Sequence, residues 1–136
     1  MVFTFWSPFD KGEYMESPVI LIVEKDPLIQ NLWKIQLGEY KVIQALSIPE
    51  AEEKFLLHRN EITMVIMTAR LGSKKINTVS LTEHIRKNFD GFMIATSSRE
   101  SYRQMLVRAG CDRECERFDI IKVTKEVLLR KEALTS

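Results

Sequence analysis

The feature that most constrains the fold is a short unbroken apolar run, Val19-Ile20-Leu21-Ile22-Val23, followed at once by a polar turn and a helical pattern. A β-branched run with no polar alternation predicts a strand covered on both faces. Strands of that kind belong to parallel sheets, where a crossover helix must follow each one. The chain keeps this alternation to its end. Asp26 and Pro27 supply a helix cap and a first helical residue, and Leu28, Leu32 and Ile35 follow at helical spacing. Gly38 stops that helix. Residues 40–45 predict a second strand. Ser47 and Glu50 stand at capping-box spacing before a helix with Ala51 and Phe55 on its apolar face.

The second half repeats the pattern. Residues 62–67 read as the third strand and residues 78–88 as the third helix, with Leu81 and Ile85 inward. Asp90-Gly91 is a turn signal before a fourth strand over 92–95. Ser98 is the expected cap of a helix that buries Tyr102, Met105, Leu106 and Ala109 and ends at Gly110. Residues 111–116 form a fifth, mostly charged strand. A last helix is expected over about 119–133, with Ile121, Val127 and Leu128 inward. Five βα units in 136 residues predict one α/β domain. The expected architecture is a flavodoxin-like, doubly wound five-stranded parallel sheet, order 2-1-3-4-5, with helices on both faces. Ligand chemistry in such a sheet sits at the carboxyl ends of the strands. That directs attention to Glu24, Lys25 and Asp26, then Thr68, then Thr96.

Residues 1–17 lack periodicity and read as an N-terminal arm, leaving 18–136 as the domain. Val2, Phe3, Phe5, Trp6 and Phe9 crowd the arm with apolar side chains. They are expected to pack on the domain or on a second chain. Lys and Arg total 20 against 19 Asp and Glu, so the basic excess of a nucleic-acid binder is missing. The longest apolar run is too short to span a bilayer. The N-terminal segment carries Asp10, Glu13 and Glu16 and no basic stretch, unlike a signal peptide. A cytoplasmic protein is expected. Cys111 and Cys115 read as small buried thiols; on a strand, their spacing would put both on one face.

Five segments, in this order and spacing, resemble the CheY-like receiver domains of response regulators. They are residues 20–27 (ILIVEKDP), 64–71 (MVIMTARL), 94–97 (IATS), 108–112 (RAGCD) and 118–121 (FDII). The resemblance covers about residues 18–134. It implies a fold that takes a phosphoryl group from a histidine kinase onto an Asp at the end of strand three. It also implies magnesium held by an acidic pair after strand one, a Ser or Thr after strand four, and a Lys near the end of strand five.

The chain departs from that pattern at nearly every point. The acidic pair falls on Glu24 and Lys25. The nucleophile position falls on Thr68, and no Asp or Glu occurs between Glu61 and Glu83. A hydroxyl there cannot form the acyl phosphate, which needs a carboxylate. The Lys position falls on Glu116 or, without a gap, on Arg117. Thr96 alone keeps its family residue type. The pocket therefore reads as degenerate, a pseudo-receiver, with no catalytic residue, metal or cofactor expected. Lys25 either stands in for the metal in an internal ion pair with Glu24 or Asp26, or points to solvent.

The reading is a phosphorylation-independent protein–protein interaction module rather than an enzyme. Its expected partner is a histidine kinase, an output protein or itself as a homodimer, with neither nucleic acid nor membrane involved. The alternative is a receiver or small enzyme using a non-standard site at the strand ends. His58 and His84 fall away from that edge. The charged strand five marks a polar partner surface or blunts an exposed edge.

Overall fold

In the computed structural model, which describes residues 17–135, five strands and five α-helices alternate along the chain. They are β1 (Val19–Val23), α1 (Pro27–Gln36), β2 (Lys41–Ala45), α2 (Ile48–His58), β3 (Met64–Thr68) and α3 (Val79–Lys87). Then come β4 (Phe92–Thr96), α4 (Glu100–Ala109), β5 (Arg113–Cys115), a 3-10 turn over Arg117–Asp119 and α5 (Ile120–Thr135). The strands pair in parallel in the order β2-β1-β3-β4-β5. This is the flavodoxin-like doubly wound fold expected from the sequence.

Alternate residues of each strand point to opposite faces, so the sheet builds two cores. Leu21, Val65 and Met93 pack with Phe55, Leu81, Ile85 and Leu106 of α2, α3 and α4. Ile20, Ile22, Ile66 and Ile94 pack with Trp33 of α1 and Ile120 and Val123 of α5. All five residues of β1 and of β3 are buried, as their unbroken apolar runs require. The expected caps at Asp26 and Ser47 form, with Leu28 N and Glu50 N donating to their side chains. Gly110 closes α4 at φ 137°, a conformation that a side chain would resist. Among the described residues no helix is long and apolar enough to cross a membrane.

Several expectations are corrected. The stripe on α1 faces outward: Leu28 is 78%, Leu32 49% and Ile35 76% exposed. The helix carries two interleaved apolar faces, and the one with Ile29 and Trp33 turns inward. Trp33 has more area to bury, and Gln30 beside it is fully needed at the strand ends. Its Nε2 donates to Ile22 O at 2.9 Å, Glu24 O at 3.1 Å and Ala45 O at 3.0 Å. Ser98 does not cap α4. The strand β4 runs on to Thr96, and Ser97 Oγ accepts from Arg99 N at 3.1 Å in the turn that follows. Cys111 and Cys115 do not share a face. Cys111 precedes the three-residue β5, outside its alternation, and packs beside α3 and α4, whereas Cys115 packs against the opposite core. The arm lies outside the described residues apart from Ser17.

Candidate functional site

Parallel strands bring all their carboxyl ends to one edge of the sheet. A cavity of about 190 Å³ opens there. Glu24 and Lys25 line it from the end of β1, Ala69 and Arg70 from the end of β3, Thr96, Ser97 and Ser98 from the end of β4, and Arg117 from the turn before α5.

Glu24 is 2% exposed, and both its carboxylate oxygens are engaged. Oε1 accepts from Arg117 Nη2 at 2.7 Å, and Oε2 accepts from the Asp26 backbone N–H at 2.8 Å. The Arg117 guanidinium also lies 5.3 Å from the centre of the buried Trp33 ring. Carboxylate and indole thus hold Arg117 together, in the planar mode that suits a guanidinium better than an ammonium.

This arrangement decides between the two readings of Lys25 in favour of solvent. Lys25 is exposed, and among the described residues no ion pair joins it to Glu24 or Asp26. Glu24 is turned inward to Arg117, while Asp26 accepts from Leu28 N at 2.9 Å as the cap of α1. Asp26 does not line the cavity. Thr68 sits at the end of β3 but 1% exposed, and its hydroxyl donates to Val23 O at 2.7 Å. It ties β3 to β1 and does not line the cavity either. Glu116 points away into an open groove beside Arg103, Arg113 and Lys122. Of the two residues considered at the end of strand five, Arg117 reaches the cavity and Glu116 does not.

Thr96 lines the cavity and is fully buried, and its hydroxyl lies against the Cys115 thiol of the neighbouring strand. The neighbouring Cys115 thiol is a weak hydrogen-bonding group; burial pushes its pKa up to about 11, against a smaller opposing effect of Thr96. Sequence reasoning missed Arg70, Ser97 and Ser98 as lining residues, and Trp33 as the support of Arg117. Arg70 and Ser98 stand two residues past their strands, a position that the topology makes cavity-facing. The support by Trp33 left no sequence signal.

The resemblance to receiver domains implies a divalent cation at this edge, and the residues present do not fit one. Such ions take several hard oxygen ligands. Among the described residues Glu24 is the only carboxylate lining the cavity, and its oxygens are already held. Among the described residues no group of three His, Cys, Asp or Glu stands close enough to hold a metal.

No protein-family model matches the chain. No curated protein matches it either. Solved structures do. A two-component response regulator from Clostridium difficile matches with a TM-score of 0.70 at 18% identity, over 85% of this chain and 98% of that one. A CheY-like response regulator receiver domain protein from Methanospirillum hungatei matches with a TM-score of 0.67 at 22% identity, over 87% and 98%. The N-terminal domain of an uncharacterized protein from Wolinella succinogenes gives 0.69 at 19%, over 87% and 98%. The chain therefore has the fold of CheY-like receiver domains.

Proposed function

We propose that the chain is an atypical receiver domain of two-component signal transduction that acts as a phosphorylation-independent protein–protein interaction module. The observation that carries this reading is the end of β3. The residue there is Thr68, whose hydroxyl is committed to Val23 O inside the sheet. The Glu24–Arg117 pair supports it, because it puts a fixed cation beside the carboxylate that metal binding would require.

The partner is a histidine kinase, an output protein or a second copy of the chain. The α4–β5–α5 side is the surface best suited to it. Phe118 stands 98% exposed beside the groove that holds Glu114, Glu116, Asp119 and Lys122. A fully exposed aromatic among charges matches the anchor-and-rim make-up of protein interfaces.

The test is an amide NMR titration with magnesium and then beryllofluoride, which mimics an aspartyl phosphate. An unchanged spectrum is the expected result. Saturable shifts at Glu24, Thr68 and Thr96 would refute the reading, as would a phosphoryl adduct in the mass spectrum after treatment with acetyl phosphate.

A further inference from the structure

The helix α1 is apolar on two sides. Ile29 and Trp33 turn inward, while Leu28, Leu32 and Ile35 line the outer side at helical spacing, 78%, 49% and 76% exposed. A helix that is apolar on both sides is ordinarily a buried one. Among the described residues nothing covers the outer stripe. Leu56 and Leu57 of α2 are exposed as well, but they are adjacent in sequence and form no stripe.

The place where the chain enters the domain points to what covers α1. Val19, the first residue of β1, pairs with Lys41, and only residues 37–40 separate Lys41 from the end of α1. Residues 1–16 therefore join the domain beside the Ile35 end of the stripe. From Ile35 to Leu28 the stripe is about 10 Å long. Residues 1–16 can span up to about 50 Å, so they reach all of it.

Composition and charge agree. Val2, Phe3, Phe5, Trp6 and Phe9 bring large apolar side chains, and the carboxylates of Asp10, Glu13 and Glu16 follow them against the single cation of Lys11. Lys34 is exposed in the last turn of α1 and forms no ion pair with another described residue. That cation and those carboxylates are complementary in sign. The tether also ranks the occupants. A segment of the same chain meets its site at an effective concentration on the order of 1 mM, and a second copy has to be supplied at a comparable concentration to compete.

We propose that the outward face of α1 is the docking site of residues 2–9 of the same chain, which lie outside the described residues, with their aromatic side chains seated on Leu28, Leu32 and Ile35. This docking is independent of the chemistry at the end of β3.

The test is a methyl NOE experiment on the full chain, in a mixed sample of labelled and unlabelled protein that separates contacts within a chain from contacts between chains. Contacts within one chain are expected between the rings of Phe3, Phe5, Trp6 or Phe9 and the methyls of Leu28, Leu32 and Ile35. Contacts found only between chains would assign the face to a second copy and overturn the proposal, as would no contact from these rings to α1. Chymotrypsin, which cleaves after aromatic residues, supplies a second readout. The substitution L28Q/I35Q alters two exposed positions and leaves both cores intact. Cleavage within residues 1–9 is expected to be about ten-fold faster or more in this variant, the factor that one buried leucine supplies. Equal cleavage rates in the two proteins would also overturn the proposal. Neither readout involves phosphoryl transfer, so failure here leaves the interaction-module reading standing.

Discussion

Arg117 and Glu24 lie 93 residues apart in the chain and meet at 2.7 Å across the carboxyl edge of the sheet. Glu24 has a side chain only 3% exposed, and Arg117 is 34% exposed. Removing Arg117 leaves a buried carboxylate with one backbone donor. We expect Arg117→Ala to destabilise the domain by about 2 kcal/mol, below the roughly 3–5 of fully buried pairs because water reaches the arginine. Denaturant melts should show it. A double-mutant cycle with Glu24→Gln should return a coupling of about 1 kcal/mol or more. A coupling near zero would mean that the pair does not stabilise the fold.

Gln30 offers a sharper test of the sheet edge. One buried amide nitrogen serves the carbonyls of Ile22, Glu24 and Ala45 and so joins α1 to β1 and β2. Gln30→Leu keeps the bulk and removes all three contacts, leaving Ala45 O with the Glu24 N–H as its donor. A loss of about 2–3 kcal/mol in unfolding free energy is expected. A neutral outcome would show that water replaces the amide.

Thr68→Val tests the hydroxyl at the end of β3. It removes the bond to Val23 O and should cost about 1 kcal/mol, while Thr68→Ser should recover most of that loss. Equal stability of the valine and serine variants would argue against the bond.

The sequence made the order of the elements legible because it is written in periodicity, and β1 and β3 leave no ambiguity about burial on both faces. It misjudged α1, where two apolar stripes share one helix. Choosing between them requires knowing that Trp33 must lie under Arg117, a contact across 84 positions that no local pattern encodes. The site was half legible. Glu24 and Thr96 could be placed from strand ends, and Arg117 as one of two candidates with Glu116. The partner of Glu24 could not, since two neighbours in sequence, Lys25 and Asp26, competed on paper with a residue from the far end of the chain. Local geometry decided otherwise, because Asp26 is consumed as a cap and Lys25 turns to water.

Phenylalanines on opposite sides of the burial scale make a paired prediction. Phe55 is 2% exposed and meets Phe89 edge-on at 6.0 Å, whereas Phe118 is 98% exposed. Phe55→Ala is expected to cost about 3–4 kcal/mol. Phe118→Ala should stay within about 0.5 kcal/mol of the parent. A large loss at Phe118 in thermal melts would contradict its exposure.

The two thiols give a pH dependence. Burial pushes Cys111 up to about 12 and Cys115 up to about 11, from an ordinary value of 9.0. A raised folded-state value keeps the proton on in the native chain after the unfolded chain has released it. Stability from this source is therefore complete below about pH 9 and declines as pH rises from there through 11 and 12. Denaturant midpoints measured from pH 8 to 11 should fall, and Cys111→Ala should fall less steeply. Alkylation of the folded protein by iodoacetamide at pH 7.5 should also lag far behind that of the denatured chain.

The contact between β1 and the turn before α5 has a consequence for how the chain matures. Its two halves come from the first and the last βα units, so the pair cannot close until the whole sheet has been laid down. A nascent or truncated chain that stops before β5 holds Glu24 without its cation. The edge that carries the cavity is thus the last region to become complete. Substitutions there should speed unfolding more than they slow folding, the signature of a contact absent from the transition state.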